Sequence, residues 1–138
     1  FRPFDNEAQD RVRLEAEAVL AIISLATERG WTLVGSDVVD HEIDGHPDEE
    51  KRLRARGLAA ALQVRVPLSN IIVERGVELE EFGFRTFYAL HVASAEAGEV
   101  DVLLTTDDQF LRKGIEYSKK LSVRIENPVA WLIKEITR

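Results

Sequence analysis

Apolar positions along the chain recur in two ways: at helical spacing over long stretches, and as short continuous runs between them. The densest stretch lies between Gly83 and Gly98. There Phe87, Tyr88, Ala89, Leu90, Val92, Ala93, Ala95 and Ala97 cover nearly every face of a helix, which predicts a helix surrounded by protein. Gly98 stands where a left-handed C-terminal cap belongs. Val102, Leu103 and Leu104 form a continuous apolar run, the pattern of a strand covered on both faces. The run breaks at Thr105, Thr106, Asp107 and Asp108. Polar residues at the carboxyl end of a parallel strand are where open α/β sheets place their sites.

The rest of the chain reads around this stretch. Val12, Ala16, Val19, Leu20 and Ile23 predict a long helix, capped by Asp5 or Asn6 and stopped after Arg29 by Gly30. Residues 31–35 alternate weakly, as a short strand does. Ser36 then caps a second helix ended by Gly45, His46 and Pro47. In a third helix Asp48, Glu49 and Glu50 come first and Lys51, Arg52, Arg54 and Arg56 later, an order that matches the helix dipole. Residues 64–68 are extended, and Ser69 caps a fourth helix with Ile72, Gly76 and Leu79 on one face. Asp107 or Asp108 opens a helix to about Lys120, and residues 122–126 alternate like a strand near a sheet edge. Asn127 and Pro128 open a last helix carrying Val129, Trp131, Leu132 and Ile136. Short strands alternating with helices predict an α/β fold with a parallel sheet between helical layers.

The 138 residues make one domain, residues 1–138, large enough for a full core. No run approaches the ~18 apolar residues of a membrane span, and no secretory leader is evident. The chain has no cysteine, which excludes disulfides and thiolate chemistry and fits a cytoplasmic location. Its net charge of −7 argues against an extended basic face for nucleic acid. That charge leaves room for a nuclease whose metal ions bridge carboxylates to phosphate.

Three groups of residues invite chemistry. Glu42 follows Val38 and Val39 on an apolar helical face, and a buried carboxylate is costly unless paired or metal-bound. It either pairs with an Arg, sits at the edge of a groove, or holds a ligand. Asp107 and Asp108 follow a strand and begin a helix; one of them serves as the N-cap, leaving the other to face a groove. Lys51, Arg52, Arg54 and Arg56 either meet phosphates or an acidic partner, or form a solvated helix face. The run from His41 to His46 is no zinc-protease motif, which needs histidines four apart. Five residues apart places them ~140° around a helix.

Tyr-Ala-Leu-His-Val-Ala-Ser-Ala-Glu-Ala-Gly (88–98), followed by Leu-Leu-Thr-Thr-Asp-Asp-Gln-Phe-Leu (103–111), resembles the second half of a PIN domain. Val-Gly-Ser-Asp-Val-Val-Asp-His-Glu-Ile around Glu42 resembles the PIN segment that carries its second acidic residue. Pro-Phe-Asp-Asn near the start and Val-Arg-Ile-Glu-Asn-Pro-Val-Ala-Trp-Leu near the end fit in order, so the resemblance covers nearly the whole chain. It implies a PIN-like three-layer α/β/α fold with a short parallel sheet. It also implies a metal-dependent endoribonuclease similar to the toxins of toxin–antitoxin pairs. Glu42 and Asp107 would be catalytic, and Glu42, Asp107 and Asp108 would hold Mg2+ or Mn2+, cations that favour oxygen ligands. Thr105 or Thr106 would place a water or phosphate oxygen. RNA, an antitoxin protein and a second copy in a homodimer are the partners implied.

The chain departs from the family pattern in three places. Tyr88 stands where the family has a metal-binding Asp, and Gln109 where a further acid is frequent. A phenol with a pKa near 10 is a poor magnesium ligand at neutral pH, so weak metal binding is expected. Tyr88 is then a core aromatic with a bonded hydroxyl, and His91 a buried hydrogen-bonding histidine. The alternative reading is a catalytically inactive PIN-fold module that binds RNA or a protein partner. PIN domains also begin with a strand ending in Asp, whereas this chain starts at Phe1 and has no methionine. A short apolar, β-branched segment is therefore expected before Phe1; without it the sheet would show a groove, or a strand lent by another chain.

Overall fold

The computed structural model describes residues 3–138, with side chains from residue 7 onward. Its elements run α1 (Pro3–Arg29), β1 (Val34–Ser36), α2 (Asp37–Asp44), α3 (Glu49–Ala59), β2 (Val64–Val66), α4 (Asn70–Glu81), α5 (Thr86–Ala97), β3 (Val102–Leu104), α6 (Asp108–Glu116), β4 (Arg124–Glu126) and α7 (Pro128–Ile136). A turn of 3-10 helix, Ser118–Lys120, follows α6, so the helix expected to reach Lys120 ends sooner. The fold is mixed α/β. Among the described residues the strands form two parallel pairs, β1 with β2 and β3 with β4. Val34, Gly35 and Ser36 oppose Val64, Arg65 and Val66, and Val102, Leu103 and Leu104 oppose Arg124, Ile125 and Glu126.

Local sequence starts the helices. The side chains of Ser36, Asp48, Ser69, Asp107 and Asn127 each accept a bond from an amide in the first turn of the helix they precede. Pro128 occupies the first turn of α7, where its missing N–H costs nothing. Helix α1 begins earlier than expected: it already runs through Asp5 and Asn6, and Pro3 suits a first turn. It stops where Gly30 takes φ +72°.

The buried stripe of α1 is Glu15, Ala18, Ile22 and Ala26, while Val12 and Leu20 lie exposed. Helix α1 packs on α7, with Trp31 against Trp131 at 4.8 Å between ring centroids. The stripe that faces this contact is set by α7, which periodicity within α1 cannot show.

Helices α4 and α5 form the tightest pair and carry the core with Ile72, Leu79, Phe84, Ala89, Val92, Phe110 and Ile125. Gly76 permits the approach: a Cβ there would lie 3.1 Å from Leu90 Cδ2. Helix α5 is not enclosed on every side. Phe87 is 47% exposed and stacks on His41 at 6.0 Å. Gly98 has φ −83°, not the left-handed value expected, and the positive φ falls on Glu99 at 54°. Glycine is required at 98 for space, since a Cβ would lie 2.7 Å from Val66 Cγ2. Strand β3 is half-buried throughout, because its residues line a cavity. Among the described residues no helix is long and apolar enough to cross a membrane.

Candidate acidic site at the carboxyl ends of the strands

Ser36 ends β1 and caps α2 through Oγ, which accepts from Val39 N at 3.1 Å. Two turns on, Glu42 projects from α2. Its side chain is 62% exposed, so it stands at a rim and not in the core. Its Oε2 lies 3.0 Å from Nε2 of the partly buried His91 on α5. The His91 bond holds Glu42 below its ordinary pKa of 4.5, against partial burial and the nearby negative charge of Asp107.

Asp107 ends the loop after β3 and caps α6. Its Oδ1 accepts from Gln109 N at 2.9 Å and Phe110 N at 3.1 Å. The Tyr88 hydroxyl donates to Oδ2. That hydroxyl bond, then the α6 amides, holds Asp107 below its ordinary pKa of 3.8. Burial, then Asp107 itself, pushes the Tyr88 phenol up, so it stays a proton donor. The Tyr88 ring stacks on Phe110 at 4.4 Å and 12°. It is thus packed and bonded, and it sits directly on Asp107.

The two aspartates divide the work differently from the expectation. Asp107 both caps α6 and faces the edge, whereas Asp108 is tied to Arg11 of α1. Arg11 reaches Asp108 at 2.9 and 2.6 Å and Thr106 O at 3.5 Å. Arg11 holds the Asp108 pKa down. The arginine is steadied by Glu15 at 3.3 Å, which accepts from Asn127 Nδ2 at 2.7 Å. Thr105 is also engaged: its N donates to Glu126 O at 3.0 Å and its Oγ1 accepts from Asp107 N at 3.2 Å. Thr106 is exposed at the same turn.

The sequence reading missed the bases around this edge. Arg85, Arg112 and Lys113 join Gly83, Tyr88, Gln109 and Glu116 around an open hollow of about 410 Å³. The Arg85 guanidinium lies 5.9 Å from the Tyr88 ring centre. The signal was in the spacing: Arg85 precedes Tyr88 by three positions, and Arg112 and Lys113 follow Gln109 by three and four. The more obvious basic run is engaged in part by near neighbours. Arg54 pairs with Glu50 at 2.7 Å, Arg56 with Asp44, and Arg52 donates to His46 O at 2.8 Å. His41 and His46 share nothing: the first stacks on Phe87, and the second accepts from Asp48 N.

Beneath the acidic edge lies a second cavity, about 450 Å³, lined by every residue of β1 and β3 and reached by His91. Among the described residues no group of three or more His, Cys, Asp or Glu side chains is arranged to hold a metal ion. Glu42 and Asp107 are near enough for Glu42 to feel the charge of Asp107.

These features define a mixed α/β domain with an acidic edge at the carboxyl ends of its parallel strands. Comparisons of the chain with protein-family models, with curated proteins and with solved structures find no match.

Proposed function

We propose that this chain is a PIN-like domain of the metal-dependent ribonuclease type, acting on RNA phosphodiester bonds at the edge formed by Glu42 and Asp107. One observation carries the reading: two carboxylates far apart in sequence lie near enough beyond β1 and β3 for Glu42 to feel the charge of Asp107, and specific neighbours hold both pKa values down. On this reading the two strand pairs are halves of one parallel sheet between helical layers. An antitoxin protein and a second copy of the chain are the partners that the family resemblance brings with it.

Magnesium binds through one or two carboxylates, keeps several waters and takes further oxygens from substrate phosphates. Glu42 and Asp107 fit such a weakly held Mg2+ or Mn2+, provided that Tyr88 releases Oδ2. The ion would supply an activated water and charge for the phosphate. The chain supplies the rest. His91 orients Glu42 as a supporting partner, the α6 amides fix Asp107, and Arg85, Arg112 and Lys113 offer positive charge to the phosphates alongside.

The bond from Tyr88 to Asp107 favours a second reading, a module that binds RNA or a protein without cleaving. Calorimetric Mn2+ titration of the chain and of Tyr88→Asp separates the two. The nuclease reading expects weak binding in the chain and binding about tenfold tighter, ~1.4 kcal/mol, in the variant. Placing a third carboxylate beside two others also destabilises the metal-free variant by about 1–3 kcal/mol. Equal affinities in both proteins would remove Tyr88 from the site and leave the non-cleaving module.

A further inference from the structure

Along α6, Gln109, Arg112, Lys113 and Glu116 stand at helical positions i, i+3, i+4 and i+7 and so share one face. With Gly83, Arg85 and Tyr88, which lie at and just before the start of α5, that face lines the open hollow of about 410 Å³. Gly83 shapes the turn by taking φ +107°. It also makes room, since a Cβ there would lie 3.1 Å from Lys113 Nζ. Lys113 is engaged inside the hollow. Its amino group lies 3.6 Å from Glu116 and 5.5 Å from the Tyr117 ring centre.

Arg85 and Arg112 differ from Lys113. The two nearby aspartates are taken, Asp107 by Tyr88 and the α6 amides and Asp108 by Arg11. Among the described residues neither Arg85 nor Arg112 forms an ion pair or a side-chain hydrogen bond; they act on Asp107 and Asp108 through charge alone. With Lys113 balanced by Glu116, the lining keeps two positive charges, both guanidinium groups and from two different elements. An internal phosphodiester has one negative charge and two free oxygens. A terminal phosphate carries up to two charges and three free oxygens. Two guanidinium groups, each able to give paired N–H bonds, match the terminal phosphate in charge and in donors. Arginine clusters read phosphomonoesters for this reason. Tyr88 joins the hollow to the acidic edge, for it lines the hollow while its hydroxyl bonds Asp107.

We infer that the hollow is a subsite for the terminal phosphate of a single-stranded RNA, clasped by Arg85 and Arg112, with the strand leading past Tyr88 toward Asp107. The choice of a phosphomonoester rests on the hollow, and the choice of RNA to carry it rests on the ribonuclease reading. Both the 5′ and the 3′ end supply this chemistry, and they form separate arms of the test. The chain then sorts RNA by its ends, favouring strands that an earlier cleavage or phosphorylation has left with a phosphate.

Binding is measured by fluorescence anisotropy in EDTA at fixed ionic strength, so that metal-dependent cleavage does not intervene and salt does not vary. The probe is one short, internally labelled single-stranded RNA bearing a 5′-phosphate, a 3′-phosphate or hydroxyls at both ends. At least one phosphorylated strand should bind about tenfold or more tighter than the hydroxyl strand, and the tighter arm names the end. Arg85→Gln and Arg112→Gln should each bring those two strands to within about twofold of one another. Both side chains are exposed, so circular dichroism should show the variants folded. Lys119→Gln removes a charge outside the hollow and should keep the ratio. Equal binding of the three strands, or binding of none, would overturn the inference. So would a ratio that survives both arginine variants, or one that falls as far in Lys119→Gln. A phosphoserine peptide that competes as well as the phosphorylated RNA would also overturn it, since the hollow would then read phosphate without RNA. Each of these results leaves Glu42 and Asp107 to their own cleavage test, and a failure to cleave leaves the binding ratio standing.

Discussion

At Asp107 one carboxylate serves three donors: the amides of Gln109 and Phe110 share one oxygen, and the Tyr88 hydroxyl takes the other. Removing that hydroxyl frees an oxygen while leaving the ring stacked on Phe110. Tyr88→Phe should therefore cost about 1 kcal/mol in denaturant unfolding while tightening Mn2+ binding; unchanged affinity would show that the phenol does not compete with the ion. Acid should also act here. Glu42, Asp107 and Asp108 all have pKa values lowered in the fold. Their stabilisation is complete above the ordinary values of 4.5 and 3.8 and is lost as pH falls through the lowered ones. Stability measured by urea unfolding should be level down to about pH 5 and drop below it; a protein that gained stability on acidification would contradict these assignments. The placement of Glu42 and Asp107 after short strands was legible in the sequence. Arg11 was not, because its tie to Asp108 spans almost the whole chain.

Helix starts were legible for a related reason. A cap is a bond between near neighbours, so Ser36, Ser69 and Asn127 could be assigned from local sequence. Glycines report on distant elements and were harder to read. Gly98 looked like a left-handed cap, yet it is needed because Val66 lies against it. The same logic sets the sign of two helix substitutions. Gly57 in α3 has no atom within 4 Å of the point where a methyl group would sit, so Gly57→Ala should stabilise by about 0.5–1 kcal/mol. Gly114 in α6 would place its Cβ 2.8 Å from Ile125 Cβ, an atom next to the β4 backbone. Gly114→Ala should therefore destabilise by about 1–3 kcal/mol despite its better helix propensity. Thermal unfolding of the pair checks both, and equal shifts would mean that helix propensity, not contact, governs these sites.

Across the whole molecule, alternating strands and helices were visible in the sequence, but which strand pairs with which was not. Each strand is only three residues long, too short to reveal its neighbours by pattern. The function proposed for the acidic edge is tested most directly by cleavage. A short fluorescent single-stranded RNA is incubated with the chain and Mn2+, beside Glu42→Gln, Asp107→Asn and Tyr88→Asp. Asn caps a helix about as well as Asp, so Asp107→Asn removes charge and keeps α6. The proposed site predicts slow cleavage that requires the metal, falls about tenfold or more in the first two variants and rises in the third. Cleavage indifferent to Glu42 and Asp107, or none even with Tyr88→Asp, would contradict it.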